Sequence, residues 1–244
     1  MGRRKMEKDE LTITLENHLK WLESSGTQGE KADLRDCDLS RHNLQQANFE
    51  KANLEGVDLH GTNLRTASFK GANLKAANMA KADLQWTIFL DADLSDINLE
   101  RASLHYANLS RSDLSRARMK NVFLHNAYFL EAMLQSADLR GASFRFTEMN
   151  SANLNGTTLS GAVIAATKMI RADVSDSDLS KTEITMSDFE NATFRNSKFS
   201  HAHLLKSNFQ RADMRGTDFN GSKVESVDFS GALFSNEERK IQAI

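Results

Sequence analysis

His105 and His125 stand twenty residues apart, flanked at the same interval by Gln85 and Arg145, and are the side chains best spaced to share one ligand. A metal would need a third and fourth donor beside them, and Arg145 offers a positive charge instead. Asp, Ser and His are frequent along the whole chain, so nucleophile and base combinations can be assembled at many positions and none stands out. There is no glycine-rich phosphate loop, no CxxC pair and no HExxH helix. The expectation is a chain that is not an enzyme, with no catalytic residue, no metal, no cofactor and no small-molecule substrate.

The elements that would position any site follow from a repeat. From Leu34 to Phe234 every fifth residue is Leu, Phe, Met, Ile or Val, a run of 41 apolar centres without a polar exception. Two residues before each centre stands Ala in 22 cases and Ser, Thr, Cys or Val in 17, leaving only His42 and Ile97. A helix repeats every 3.6 residues and a flat strand every 2, so a period of five requires the chain to turn once per repeat. Four repeats make a square coil of twenty residues. At a strand spacing of about 4.8 Å, about ten coils give a rod on the order of 50 Å long.

Three further patterns agree with that register. Centres taken twenty apart collect Phe49, Phe69, Phe89, Phe129, Phe189, Phe209 and Phe229 on one wall, while the wall ten residues out of phase is mostly leucine. The nine glycines of the array, Gly61 among them, all lie two residues after a centre, at the corner where permissive backbone is useful. The sequence contains no proline, as suits coils that donate amides to their neighbours throughout. Asp and Asn recur immediately before the centres, where their side chains can bond corner amides, which accounts for their abundance without chemistry.

On the Ala32-Asp33-Leu34, Ala47-Asn48-Phe49, Ala52-Asn53-Leu54 and Ala82-Asp83-Leu84 units, the chain resembles the pentapeptide-repeat family, whose motif is A(D/N)LXX. The resemblance spans residues 32–236 and implies an all-β solenoid, a right-handed quadrilateral β-helix of pentapeptide repeats. It implies less about function, because members range from DNA-mimicking topoisomerase inhibitors to proteins of unknown role.

Both ends of such a stack need covering. Residues 1–31 are expected to form an N-terminal tail and an α-helical cap over 9–25, with Leu11, Leu15, Leu19 and Leu22 at helical spacing beside Trp21. The apolar face of that helix is a cap; its polar face is not basic enough for a membrane surface. Residues 237–244 are expected to be a short C-terminal cap or tail, either a thin lid or half of a dimer contact such as the resemblance implies. His42, in the first coil, has an inward register that a cap helix could satisfy. One cysteine, Cys37, falls at a buried repeat position and forms no internal disulfide. No apolar run approaches membrane-spanning length, and the chain is expected to be soluble and cytoplasmic.

Away from centres and cap, the aromatics are Trp86, Tyr106, Phe123, Tyr128 and Phe146, all within one stretch. In the square-coil register Trp86, Tyr106 and Phe146 share a corner column interrupted by Asn126. Beside it lie outward positions holding Ile88, Leu90, Tyr128, Leu130 and Ile170. Isolated exposed apolar residues are ordinary, but a stripe over several coils that holds Trp and Tyr has the composition of a binding hot spot. The expectation is an interaction scaffold whose stripe meets a protein partner or a second copy. The alternative is a DNA mimic acting on a type II topoisomerase. Thirty-one Lys and Arg against 33 Asp and Glu, with Arg101, Arg111, Arg116, Arg118 and Lys120 in the middle, lack the negative field a mimic needs. The net charge of -2 argues equally against binding nucleic acid as a main role.

Overall fold

The computed structural model describes residues 3–40 and 42–235. The chain forms a right-handed quadrilateral β-helix with one N-terminal helix. Parallel bridges join each position to the one twenty residues on, in ten successive steps from Asp33↔Asn53 to Asp213↔Leu233. The coil length inferred from the phenylalanine column is therefore the observed one.

Each repeat folds for local reasons. The centre and the small residue two before it point inward, and nearly all of these side chains are fully buried from Ala32 to Met214. The chain then turns: the amide two residues before the next centre donates to the carbonyl of the preceding one, as in Cys37 N to Leu34 O, 3.2 Å, and Ala52 N to Phe49 O, 3.0 Å. The third residue of the turn is left-handed, as in a type II turn. Corner residues such as Lys51, Trp86, Asp91 and Tyr106 have φ between 59° and 62° although none is glycine. Asx bonds brace these corners, for example Ser40 N to Asp38 Oδ1 and Ser95 N to Asp93 Oδ1, both 2.9 Å. The Asp and Asn residues before the centres thus have the structural role read from the sequence.

Between coils, the amide of each centre donates to the next coil, as in Phe49 N to Ser68 O at 2.7 Å. Phe49, Phe69 and Phe89 stack at centroid distances of 5.0 and 5.1 Å with planes within 9°. Further along the axis Phe189 lies 4.5 Å from Phe209.

Beyond residue 140 one wall lengthens into strands. These are β3 (Ser143–Arg145), β4 (Val163–Ala165), β5 (Glu183–Thr185), β6 (His203–Leu205) and β7 (Lys223–Glu225), one parallel sheet in that order. At the corner after β4 and β5 the next coil's hydroxyl accepts the turn amide: Thr167 N donates to Ser187 Oγ, 3.1 Å, and Ser187 N to Ser207 Oγ, 3.2 Å. Hydroxyls replace Ala at the small inward position here because this corner does not close its own amide.

The N-terminus adds two elements. β1 (Arg4–Lys5) pairs in parallel with β2 (Cys37–Asp38) and continues the ladder one step past the first coil. Helix α1 (Lys8–Glu23) follows and buries Leu11 and His18, with Leu15 packed against the core. Leu19, expected on the covered face, is exposed. His18 takes that place because its Nδ1 accepts the Ala32 amide, 3.1 Å, where the array begins. His42 is half-buried and bonds the Leu39 carbonyl through Nδ1 at 3.1 Å, a structural role. The C-terminal segment expected over 237–244 lies outside the described residues.

Candidate interaction surface

The eight residues singled out in the sequence lie on one wall of the rod and its two corners. Trp86, Tyr106 and Phe146 occupy the left-handed corner position, with φ of 62°, 61° and 56°. That conformation turns each side chain away from the core, so three aromatic rings project where a repeat has nothing to bury. Trp86 and Tyr106 stack face to face, 4.1 Å between centroids and 2° between planes. Phe146 is 63% exposed.

Ile88 and Tyr128 lie at the middle of the wall, in the bridging column of Ser68, Ile88, Asn108, Tyr128 and Glu148. Leu90, Leu130 and Ile170 lie one residue after a centre, at the start of the far corner. Ile88, Tyr128 and Leu130 are exposed, whereas Leu90 and Ile170 are half-buried. The polar residues between them are tied down. Asn108 Oδ1 accepts the Ser110 amide, 3.0 Å, and Glu148 pairs with Lys168 at 3.2 Å.

Two residues enlarge this surface. Met186 continues the corner column two coils past Phe146, with φ 50° and 64% exposure; the twenty-residue spacing of that column is its signal in the sequence. Phe123 is on the adjoining wall, 6.2 Å from the His105 ring. His105 and His125 meet edge to face at 4.6 Å, and His125 Nε2 lies 2.9 Å from Ser143 Oγ. Burial is the leading cause that lowers the pKa of both imidazoles; for His125 the neighbouring His105 and Arg145 act in the same direction. Among the described residues no group of three or more His, Cys, Asp or Glu could hold a metal ion. The pair is packed as part of the aromatic cluster.

The charges elsewhere are mixed. Arg111 and Arg116 each pair with an aspartate one coil earlier, Asp91 and Asp96, at 2.8 and 2.7 Å, and hold those carboxyls below their ordinary range. Two guanidiniums, Arg215 and Arg195, do the same for Asp213. Among the described residues no helix is long and apolar enough to cross a membrane.

No curated protein matches the sequence. Among solved structures the chain is similar to HetL, a pentapeptide repeat protein involved in heterocyst differentiation regulation from the cyanobacterium Nostoc sp. strain PCC 7120. The identity is 22% and the TM-score 0.81, with 95% of this chain and 98% of that chain covered. It is also similar to QnrB1, a plasmid-mediated fluoroquinolone resistance protein, at 17% identity and TM-score 0.49, covering 87% of this chain and 96% of that one. At 22% identity the likeness to HetL is one of fold. Family models match as well: "Pentapeptide repeat region" over residues 32–109, and "Pentapeptide repeats (8 copies)" over 107–145, 127–164, 159–196 and 194–231. With these matches running from the first coil to the last along an unbroken five-residue register, the chain belongs to the pentapeptide-repeat family.

Proposed function

We propose that this chain is a non-enzymatic protein-interaction scaffold, and that the stripe of Trp86, Ile88, Leu90, Tyr106, Tyr128, Leu130, Phe146 and Ile170 is its binding surface. The observation that carries this reading is the exposed Trp86–Tyr106 stack, set among exposed Ile88, Tyr128, Leu130 and Phe146. Apolar surface gathered this way on a rigid wall gains free energy when a partner removes it from water, and Trp and Tyr are the residues that dominate such contacts. The β-helix contributes rigidity, since every coil is hydrogen-bonded to the next. A reducing compartment such as the cytoplasm suits a chain whose single cysteine is buried and free. The alternative, mimicry of DNA against a topoisomerase, is disfavoured by the interleaved charges, since Arg111, Arg116 and Arg118 each stand beside a carboxylate.

The test is site-specific photo-crosslinking in cells, with p-benzoylphenylalanine placed at Asn108, inside the stripe, or at Ser160, on the opposite wall. Protein adducts are expected from position 108 and not from 160. Equal yields from both walls, or none from position 108, would count against the stripe.

A further inference from the structure

We infer that the partner of the stripe is a second copy of this chain, laid antiparallel against the first with a two-fold axis passing through Tyr128. This rests on the reading of the stripe as a protein-binding surface and names its occupant. Tyr128 stands in the middle column of the wall and midway along the stripe, two coils from both Ile88 and Lys168. A two-fold axis there reverses direction along the rod and across the wall together. Positions equidistant from Tyr128 in sequence therefore face one another, as an isologous contact requires.

The pairs so formed match in shape. Projecting Trp86 faces half-buried Ile170, and Leu90 faces Ala166. Exposed Phe146 faces Ser110, a small side chain that is 8% exposed. Tyr106 and Leu130 face half-buried Asn150 and Asn126. Projecting side chains on one copy thus meet less exposed ones on the other, and the two Tyr128 rings meet on the axis. Moving the axis one coil, to Asn108, would set exposed Trp86 against exposed Leu130 and exposed Ile88 against exposed Tyr128, projection on projection.

Charge agrees with the same register. Glu50 and Lys206 are equidistant from Tyr128 and would pair across the interface near both ends of the wall. Glu148 faces Asn108, and Lys168, already paired with Glu148, faces Ile88. No like charges oppose one another among these positions. From Glu50 to Lys206 the wall is about 40 Å long and about 10 Å wide. A contact of that size is below the roughly 800 Å² per partner of a standard interface and predicts a reversible dimer.

Cys37, the chain's one thiol, is buried, so introduced cysteines can be read without interference. Full-length Asn108→Cys, Glu148→Cys and Tyr128→Cys variants, checked by circular dichroism, are oxidised with diamide at high protein concentration. The expected result is disulfide dimers from Tyr128→Cys alone and from Asn108→Cys mixed with Glu148→Cys, at least about tenfold faster than from either of these two alone. Light scattering should show a mass that rises with concentration and falls back in the Trp86→Ser, Tyr128→Ser, Leu130→Ser variant. A dimer in which Asn108→Cys links to itself would overturn the axis at Tyr128. A monomer mass at every concentration would overturn self-association, and then crosslinks from position 108 to other proteins would still support the binding surface, so the two readings fail separately.

Discussion

His18, His105 and His125 are all held below the ordinary imidazole pKa, chiefly by burial. His18 is the clearest case. Its Nδ1 accepts the Ala32 amide, so Nε2 carries the proton, and the Glu50 backbone beside the ring only partly offsets the effect of burial. Charging the ring would break its bond to Ala32 in a site fully closed to water. Because the folded pKa values lie below the unfolded value of about 6.5, the unfolded chain binds more protons as the pH falls. The stability these groups hold is fully present above pH ~6.5 and is lost progressively below it. Melting temperature is expected to drop between pH 7.5 and 5.5, and to drop less in a His105→Gln, His125→Gln variant. An unchanged wild-type melting point across that interval would refute this.

At the scale of the elements, the corners and the cap junction use left-handed backbone in different ways. At a corner the side chain leaves the rod, so non-glycine residues are tolerated at a modest conformational cost. Gly161 has φ +70° and, among the described residues, no atom within 4 Å of the place a Cβ would take. Gly161→Ala should cost about 1 kcal/mol, the strain alone. Gly29 lies where the chain passes from α1 to the first coil, and a Cβ there would come within 2.2 Å of the Asn17 carbonyl oxygen and 2.8 Å of the Trp21 amide nitrogen. Both are backbone atoms of α1, which no rotamer change can move aside. Urea unfolding should therefore show Gly29→Ala to be several times more damaging than Gly161→Ala, and equal effects would remove the argument.

For the whole molecule, the interior coils are interchangeable and the ends are not. Every coil presents the same ladder to its neighbours, so deleting residues 51–70, one full coil, returns each wall to its own column. Such a chain should still melt cooperatively, only a few degrees lower, as expected of stacked repeats with nearest-neighbour contacts. Deleting residues 3–31 removes β1 and α1, and with them the bonds from the Arg4 amide to Asp36 O and from the Met6 amide to Asp38 O. The apolar first coil is then open to pairing with other chains. Scattering on heating should show that variant aggregating well before the coil deletion does; similar behaviour of the two would mean that β1 and α1 are not a cap.

Sequence alone determined the rod. Each repeat must bury a large residue and a small one, and forty-one centres in one register leave a single way to close the chain. The twenty-residue step, the phenylalanine column and the corner shared by Trp86, Tyr106 and Phe146 were legible for the same reason. What the tertiary structure decided concerns contacts between side chains that periodicity makes equivalent. It stacked Trp86 flat on Tyr106 and set Phe123 beside the His105 ring of the preceding coil. It put His18 rather than Leu19 under the cap and laid Arg4–Lys5 along the first coil. A repeat specifies which way a side chain points. Rotamers, the meeting of two walls at a corner and the fit of a non-repeating segment depend on distances that exist only once the coils are stacked.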